Sequence, residues 1–236
     1  MTIPFTEARP AAPVAAPPGR LQAYRDDGPL CTAIGQLTLG RMVPLPGTVL
    51  AAITTAALLA VTGAEERAIP LLYAPVVALL LIGPSAAHRH NGRIDWIVPT
   101  IIRGIEYGYL AVLGFAQDVS APLIYALLAV LAYHHYDTVY RTRQRLWPHR
   151  RVFQAGLGWE GRMLVAAFAG LYGQLAAAYA VLTGYLGLLF VVESVVAWAR
   201  ASRGGGGVQV DLEEEAEAAP QDRAEESKVN ADGGTA

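Results

Sequence analysis

The chain is short of charge, lysine and cysteine, and each shortage is informative. Charged residues make up 16% of its 236 residues, against about 25% in an ordinary soluble domain, while hydrophobic residues reach 53%. That balance disfavours a water-soluble globule and predicts a membrane protein. Cysteine occurs once, at Cys31, so no internal disulfide can form, and no Cys/His spacing resembles a zinc site. Five histidines, at 88, 90, 134, 135 and 149, are too few for the His-rich di-iron cluster of membrane desaturases. There is no HExxH, no GxSxG and no Gly-rich phosphate loop carrying a lysine, which removes zinc proteases and two further motif-defined enzyme classes. Lysine appears once and arginine supplies the rest of the 18 basic residues, which with the Ala and Gly richness suggests a GC-rich bacterial genome.

What is present is a succession of apolar runs between two polar ends. Met1 to Pro18 is rich in Ala and Pro and lacks the basic region and apolar run of a secretory signal. Residues 1–19 read as a disordered cytosolic tail, and 20–43 as an interfacial amphipathic segment whose Leu30, Ile34, Leu37 and Leu39 fall near helical spacing. Asp26 and Asp27 within it are accounted for as caps of the helix that Pro29 starts. Residues 44–201 are expected to form a six-helix transmembrane domain, and 202–236 a disordered tail, Gly-rich and then acidic. The fold class is thus all-α, a polytopic integral membrane helical bundle of about six transmembrane helices with disordered tails.

The six spans are placed near 45–63, 69–85, 95–116, 119–140, 162–180 and 182–200, each close to the roughly 20 residues that a bilayer requires. The last two are divided at Thr183-Gly184, because a single helix over that stretch would rise about 57 Å, nearly twice a bilayer core. An even number of spans puts Arg89, Arg93, Arg141, Arg143, Arg145, Arg150 and Arg151 on one side and leaves Arg67 with Glu65 and Glu66 on the other. The positive-inside rule then places both termini in the cytoplasm, in a bacterial inner membrane.

Ionisable groups within or beside apolar spans cost about 2.5–3.5 kcal/mol each on insertion scales, so they mark where function is sought. Asp95 and Glu106, eleven residues apart, fall within about 20° on a helical wheel, and Arg103 lies about 60° from Glu106. An intrahelical Arg103–Glu106 pair explains two of them without function. His134, Asp137 and Arg141 stand at i, i+3 and i+7 on one face, with His135 and Tyr136 pointing elsewhere. Interfacial anchoring accounts for Tyr136, Tyr140 and Arg141, but poorly for Asp137. Glu160 and Arg162 open the fifth span, and Glu193 shares a face with Arg200. Carboxylates surrounded by arginines at one depth are the ingredients of a site for a phosphate-bearing substrate: acids hold a divalent cation and arginines fork onto phosphate oxygens. On this reading Asp137, Glu106, His134 and Asp95 are the catalytic candidates, with His134 a proton carrier. Arg93, Arg103, Arg141, Arg162, Tyr107 and Tyr140 bind substrate, and Asp95, Glu106 and Asp137 hold Mg2+.

At these residues the chain resembles a bacterial membrane domain of unknown function that often shares a polypeptide with a CDP-alcohol phosphotransferase. The resemblance spans roughly residues 20–200 and rests on Tyr-Arg-Asp-Asp-Gly at 24–28, Gly-Arg-Ile-Asp-Trp at 92–96, Arg-Gly-Ile-Glu-Tyr at 103–107, Tyr-His-His-Tyr-Asp-Thr-Val-Tyr-Arg at 133–141 and Gly-Trp-Glu-Gly-Arg at 158–162. It implies a possible CDP-alcohol phosphotransferase partner. The motif of those transferases themselves is missing: Asp27-Gly28 is followed by Pro29-Leu30-Cys31-Thr32, without Ala-Arg or the downstream acids. The acidic motif of intramembrane prenyltransferases is missing too.

The leading expectation is an integral membrane enzyme of lipid or isoprenoid phosphate metabolism, a transferase or lyase acting at a cytoplasm-facing site with Mg2+. Its partners would be membrane lipid and a phosphate-bearing lipid substrate, with no nucleic acid. The alternatives are a non-catalytic partner or scaffold of a phospholipid-synthesis enzyme, and a small transporter, which a chain of this length could form as a homodimer.

Overall fold

The structure is a computed structural model that describes residues 20–64, 69–88, 90, 92–144, 146–147 and 150–203. Of the two expected disordered tails, residues 1–19 and 204–236 lie outside the described residues, as do Glu65, Glu66, Arg67, Arg89, Arg145 and His149, while Ser202 and Arg203 are helical. Those described form helices and turns without a strand. The helices are α1 (Arg20–Arg25), α2 (Pro29–Leu37), α3 (Pro44–Ala64), α4 (Ile69–Ile82), α5 (Ile97–Ala116), α6 (Ala121–Arg143), α7 (Arg150–Ala155), α8 (Gly158–Leu171) and α9 (Leu175–Arg203), with a 3-10 turn at Gly83–Ser85 after α4.

Among the described residues, three helices are long and apolar enough to cross a membrane: Pro44–Val61 within α3, Ile97–Ala116 and Leu175–Arg203. The expectation of six spans is corrected to that extent. Helices α4 and α8 have 14 residues each, about 21 Å of rise against a hydrocarbon core of about 30 Å. Helix α6 is long enough at 23 residues, but its last ten carry His134, His135, Asp137, Arg141 and Arg143.

The expected turn at Thr183-Gly184 is also corrected. The chain reverses at Tyr172–Gln174, where Gly173 takes φ +66. The Gln174 amide donates to Ala169 O at 2.8 Å and the Gly173 amide to Gly170 O at 3.2 Å, the bond pair of a Schellman stop. The Thr183 hydroxyl instead donates to Tyr179 O at 2.7 Å, within an unbroken helix. A glycine can stop a helix where its neighbours' carbonyls find donors, and Gly184 has no such arrangement.

Helix α5 lies at the centre. Half of its span is buried, against 22% in α3 and 28% in α9. Its Ile102, Tyr109, Leu110 and Leu113 meet Ile124 and Leu127 of α6, Met163 of α8 and Tyr179 and Leu186 of α9 in one continuous core. The Tyr179 hydroxyl donates to Leu110 O at 2.6 Å, tying α9 to α5. The outer faces of α3 and α9 expose Ile53, Val61, Val181, Leu188, Val192 and Val195, an apolar surface of the kind that lipid covers.

The N-terminal segment is not one interfacial helix. It breaks into α1 and α2, with Arg25, Asp26 and Cys31 buried. Helix α1 packs on α5 and α6, and α2 on α8 and the 3-10 turn. The fit depends on two glycines: a Cβ on Gly158, which has φ +64, would stand 2.2 Å from the Gly28 amide nitrogen, and a Cβ on Gly28 2.3 Å from Leu157 O. Gly158→Ala therefore meets both a left-handed backbone penalty and a backbone clash, together about 2–5 kcal/mol. Thermal unfolding in detergent should show a large fall in Tm for this variant. Gly184→Ala, with nothing within 4 Å of the added carbon, should leave Tm unchanged or raised.

Candidate functional site

The site is organised by the turn between α1 and α2. Asp26 takes φ +53, a left-handed conformation that Asp tolerates better than most residues. The turn sends its side chain back into the bundle, so Asp26 does not cap α2. Neither does Asp27, which receives Arg25 Nε at 2.6 Å and Trp159 Nε1 at 2.9 Å. The N-cap position belongs to Gly28, and the cap arrives from another helix: Glu160 accepts the amides of Gly28 and Cys31, each at 3.0 Å. A carboxylate there satisfies two orphan donors and faces the positive end of the helix dipole. Arg25 Nη1 is held by Ser85 Oγ at 3.3 Å and His90 Nε2 at 3.1 Å. Burial first, and then the neighbouring guanidinium, lower the pKa of His90, so its neutral ring accepts from Arg25.

Asp26 points at a buried charge cluster. Arg162, fully buried, donates from Nη2 to Asp26 Oδ2 at 2.6 Å, from Nε to Glu106 Oε1 at 2.6 Å and from Nη1 to Gly156 O at 2.9 Å. Arg103 donates to Glu106 Oε2 at 3.2 Å and to Tyr24 O at 2.6 Å, and stands 3.8 Å from Asp26. The intrahelical Arg103–Glu106 pair is thus present, and it is half of a larger set. His134 Nε2 lies 3.6 Å from Asp26 Oδ1, and His135 Nε2 3.3 Å from Oδ2. Tyr107 Oη and His135 Nδ1 are 2.5 Å apart, and His134 stacks on Phe190 at 3.8 Å between ring centres.

His135, expected to point away from His134, shares its target. Adjacent residues on a helix diverge by about 100°, and a group that lies opposite the gap between them is reached by both. Burial alone would raise the pKa of Asp26; the charges of Arg162 and then His134 outweigh it and hold the carboxyl well below the usual range.

Asp137 and Arg141 belong to a different cluster. Arg141 Nε meets Asp137 Oδ2 at 2.8 Å, and both its terminal nitrogens reach Glu193 of α9, at 2.7 and 2.5 Å. Ser194 Oγ donates to Asp137 Oδ1 at 2.9 Å. The arrangement ties α6 to α9. Asp95 stands before α5 begins, so the helical wheel that set it beside Glu106 does not apply; its Oδ2 accepts the Gly92 amide at 2.9 Å. Arg93 is exposed, and Tyr140 stacks on Tyr136 and meets Trp198 at a tilt at the surface. The three carboxylates expected to hold Mg2+, Asp95, Glu106 and Asp137, therefore have three separate sets of partners.

A cavity of about 240 Å3 opens at the Asp26 cluster, lined by Tyr24, Asp26, Trp96, Arg103, His134 and His135 among others. Of the sequence-derived candidates, the structure brings Glu106, Arg103, Arg162, His134 and Tyr107 together around Asp26. Asp26 and His135 were missed as site residues. The signal for Asp26 was its place between Arg25 and Gly28 in the Tyr-Arg-Asp-Asp-Gly stretch, which a capping role had absorbed.

The chain matches DUF5941, a family of unknown function, over residues 16–218. It belongs to that family. No curated protein and no solved structure matches it.

Two outcomes follow from the buried cluster. Arg162→Met strands Asp26 and Glu106 without their shared cation, at a cost of about 3–5 kcal/mol. Denaturant unfolding should show that loss, and adding Asp26→Asn and Glu106→Gln should recover part of it. The second outcome concerns acid. Because the folded pKa of Asp26 lies below its unfolded value of about 3.9, the stability it contributes is complete above that value and lost as pH falls through the folded one. Stability measured below about pH 4 should therefore fall less steeply in Asp26→Asn than in the parent.

Proposed function

We propose that this chain is an integral membrane protein that binds a phosphate-bearing lipid headgroup in the Asp26 cavity and acts on it there. The observation that carries this reading is the meeting, in one cavity, of Arg103 with the buried Asp26 and His134 and the half-buried His135. Arg103 gives two of its N–H groups to Glu106 and Tyr24 O, and about three of a guanidinium's five remain for a phosphate. At about 240 Å3 the cavity is smaller than the about 300–1,000 Å3 pockets that enclose drug-sized ligands. It suits a headgroup whose chains stay in lipid. Trp96, 62% exposed at its edge, is the residue type that settles at a membrane interface.

The reaction class is transfer of a phosphate-bearing group. An acceptor hydroxyl forms a new bond to phosphorus as the bond to the leaving phosphate oxygen breaks, and the hydroxyl proton ends on that leaving oxygen. The cavity opens where α5 begins and α6 ends. Arg141 and Arg143 in the last turn of α6 put that end on the cytoplasmic side of a bacterial inner membrane by the positive-inside rule, where phosphorylated lipid precursors are made. Helices α4, α6 and α8 pack among the three candidate spans as members of one membrane domain.

A scaffold reading takes its support from the arginines that match the buried acids Asp26, Glu106 and Asp137. It predicts co-purification with a phospholipid-synthesis enzyme such as a CDP-alcohol phosphotransferase. The test is thermal unfolding of the detergent-solubilised chain with CDP-diacylglycerol or a polyprenyl diphosphate, with and without Mg2+. At a hundred times its dissociation constant a ligand adds about 2.7 kcal/mol, so Tm should rise with a phosphate-bearing lipid and not with diacylglycerol. Arg103→Met should abolish the rise while the protein stays folded. No rise with any phosphate-bearing lipid would overturn the proposal in favour of the scaffold.

A further inference from the structure

We infer that Asp26, His134 and His135 form a binding site for one divalent transition-metal ion. The inference deepens the reading of the same cavity and rests on it only for the use to which the ion is put. Among the described residues these three bring one donor atom each to within 4.8 Å of one another. Asp26 lies 3.6 Å from His134 Nε2 through Oδ1 and 3.3 Å from His135 Nε2 through Oδ2. Bonds of about 2.1 Å in tetrahedral geometry place ligand atoms about 3.4 Å apart, so little movement separates this arrangement from a coordinating one.

Three independent features point to a ligand. Asp26 is 2% exposed, yet among the described residues its Oδ1 has no hydrogen-bond partner. A buried carboxylate oxygen left without a donor is costly, and a cation on that side would remove the cost. The surrounding groups also orient the donors as metal sites require. Arg162 holds Asp26 by Oδ2, and Tyr107 engages His135 through Nδ1, which leaves Nε2 facing Asp26. Finally, Asp26 reaches this place through a left-handed backbone, a strain of the kind that collects at functional sites.

The donor set decides the class of ion. Two imidazoles and one carboxylate suit zinc, manganese, iron or cobalt in the divalent state, whereas magnesium and calcium prefer oxygen ligands throughout. Three protein ligands leave coordination positions free toward the cavity. The two acids Asp26 and Glu106 are already balanced by Arg103 and Arg162. A divalent ion would bring an excess of positive charge, which an anion beside Arg103 offsets. Metal and phosphate should therefore bind with mutual reinforcement.

The test is metal titration of the full-length chain in detergent after chelator treatment, using Zn2+ by calorimetry and Co2+ by visible absorption. One ion per chain is expected, and His134→Ala and His135→Ala should each weaken binding about 10-fold or more, with His88→Ala as an unaffected control. Helix content and size-exclusion behaviour check that the variants are folded, and the His134→Ala/His135→Ala double variant covers the case in which one imidazole suffices. Retention of a full equivalent by the folded double variant, or the absence of any stoichiometric ion in the parent, would overturn the inference. A phosphate-lipid shift that persists in metal-free protein overturns the metal site as part of that chemistry and leaves the headgroup reading standing. One bound ion without any phosphate-lipid shift supports the metal site and defeats the headgroup reading.

Discussion

A single guanidinium, that of Arg162, sets the terms for the rest of the molecule. It is wholly buried between Asp26 and Glu106 and also serves Gly156 O. Removing three charges from water is expensive, and only close geometry with further hydrogen bonds repays it. That demand fixes α8 against α5 through Glu106, and both against the α1–α2 turn through Asp26. A displacement of any of them leaves a buried charge without its partner. The cluster therefore specifies one mutual placement of segments more than a hundred residues apart in sequence.

The elements that meet this demand are small and local. Asp26 turns inward because its backbone is left-handed, and α2 keeps a satisfied N-terminus because Glu160 arrives from α8. Gly28 and Gly158 permit that approach by having no side chain. On the other flank, Arg141 joins Asp137 to Glu193 and so ties α6 to α9. The apolar core along α5, α6 and α9 supplies the ordinary packing. The polar clusters decide how the helices register at the end where the cavity opens.

Helical character and approximate helix positions were legible because apolar runs of this length admit few other structures. The Arg103–Glu106 pair was legible as well, since i and i+3 are neighbours on any helix. Other readings failed for identifiable reasons. The wheel joined Asp95 to Glu106, but Asp95 precedes the helix. Both Thr183-Gly184 and Tyr172-Gly173 contain a glycine in an uncharged stretch, and only the carbonyl pattern around Gly173 makes a stop. Length and apolarity support three crossings rather than six, because residues that pack inside a helical bundle look much like residues that face lipid.

The sequence by itself determined an all-helical chain, its apolar segments and the concentration of ionisable groups near one end, since these follow from composition and from spacing along a helix. Tertiary structure alone decided which of those groups meet. Asp137 and Arg141 were drawn into a tie with α9, while Asp26, which looked like a helix cap, became the centre of the site. The physical reason is that a buried charge is placed by partners distant in sequence, and no periodicity within one helix records where another helix will put its charge.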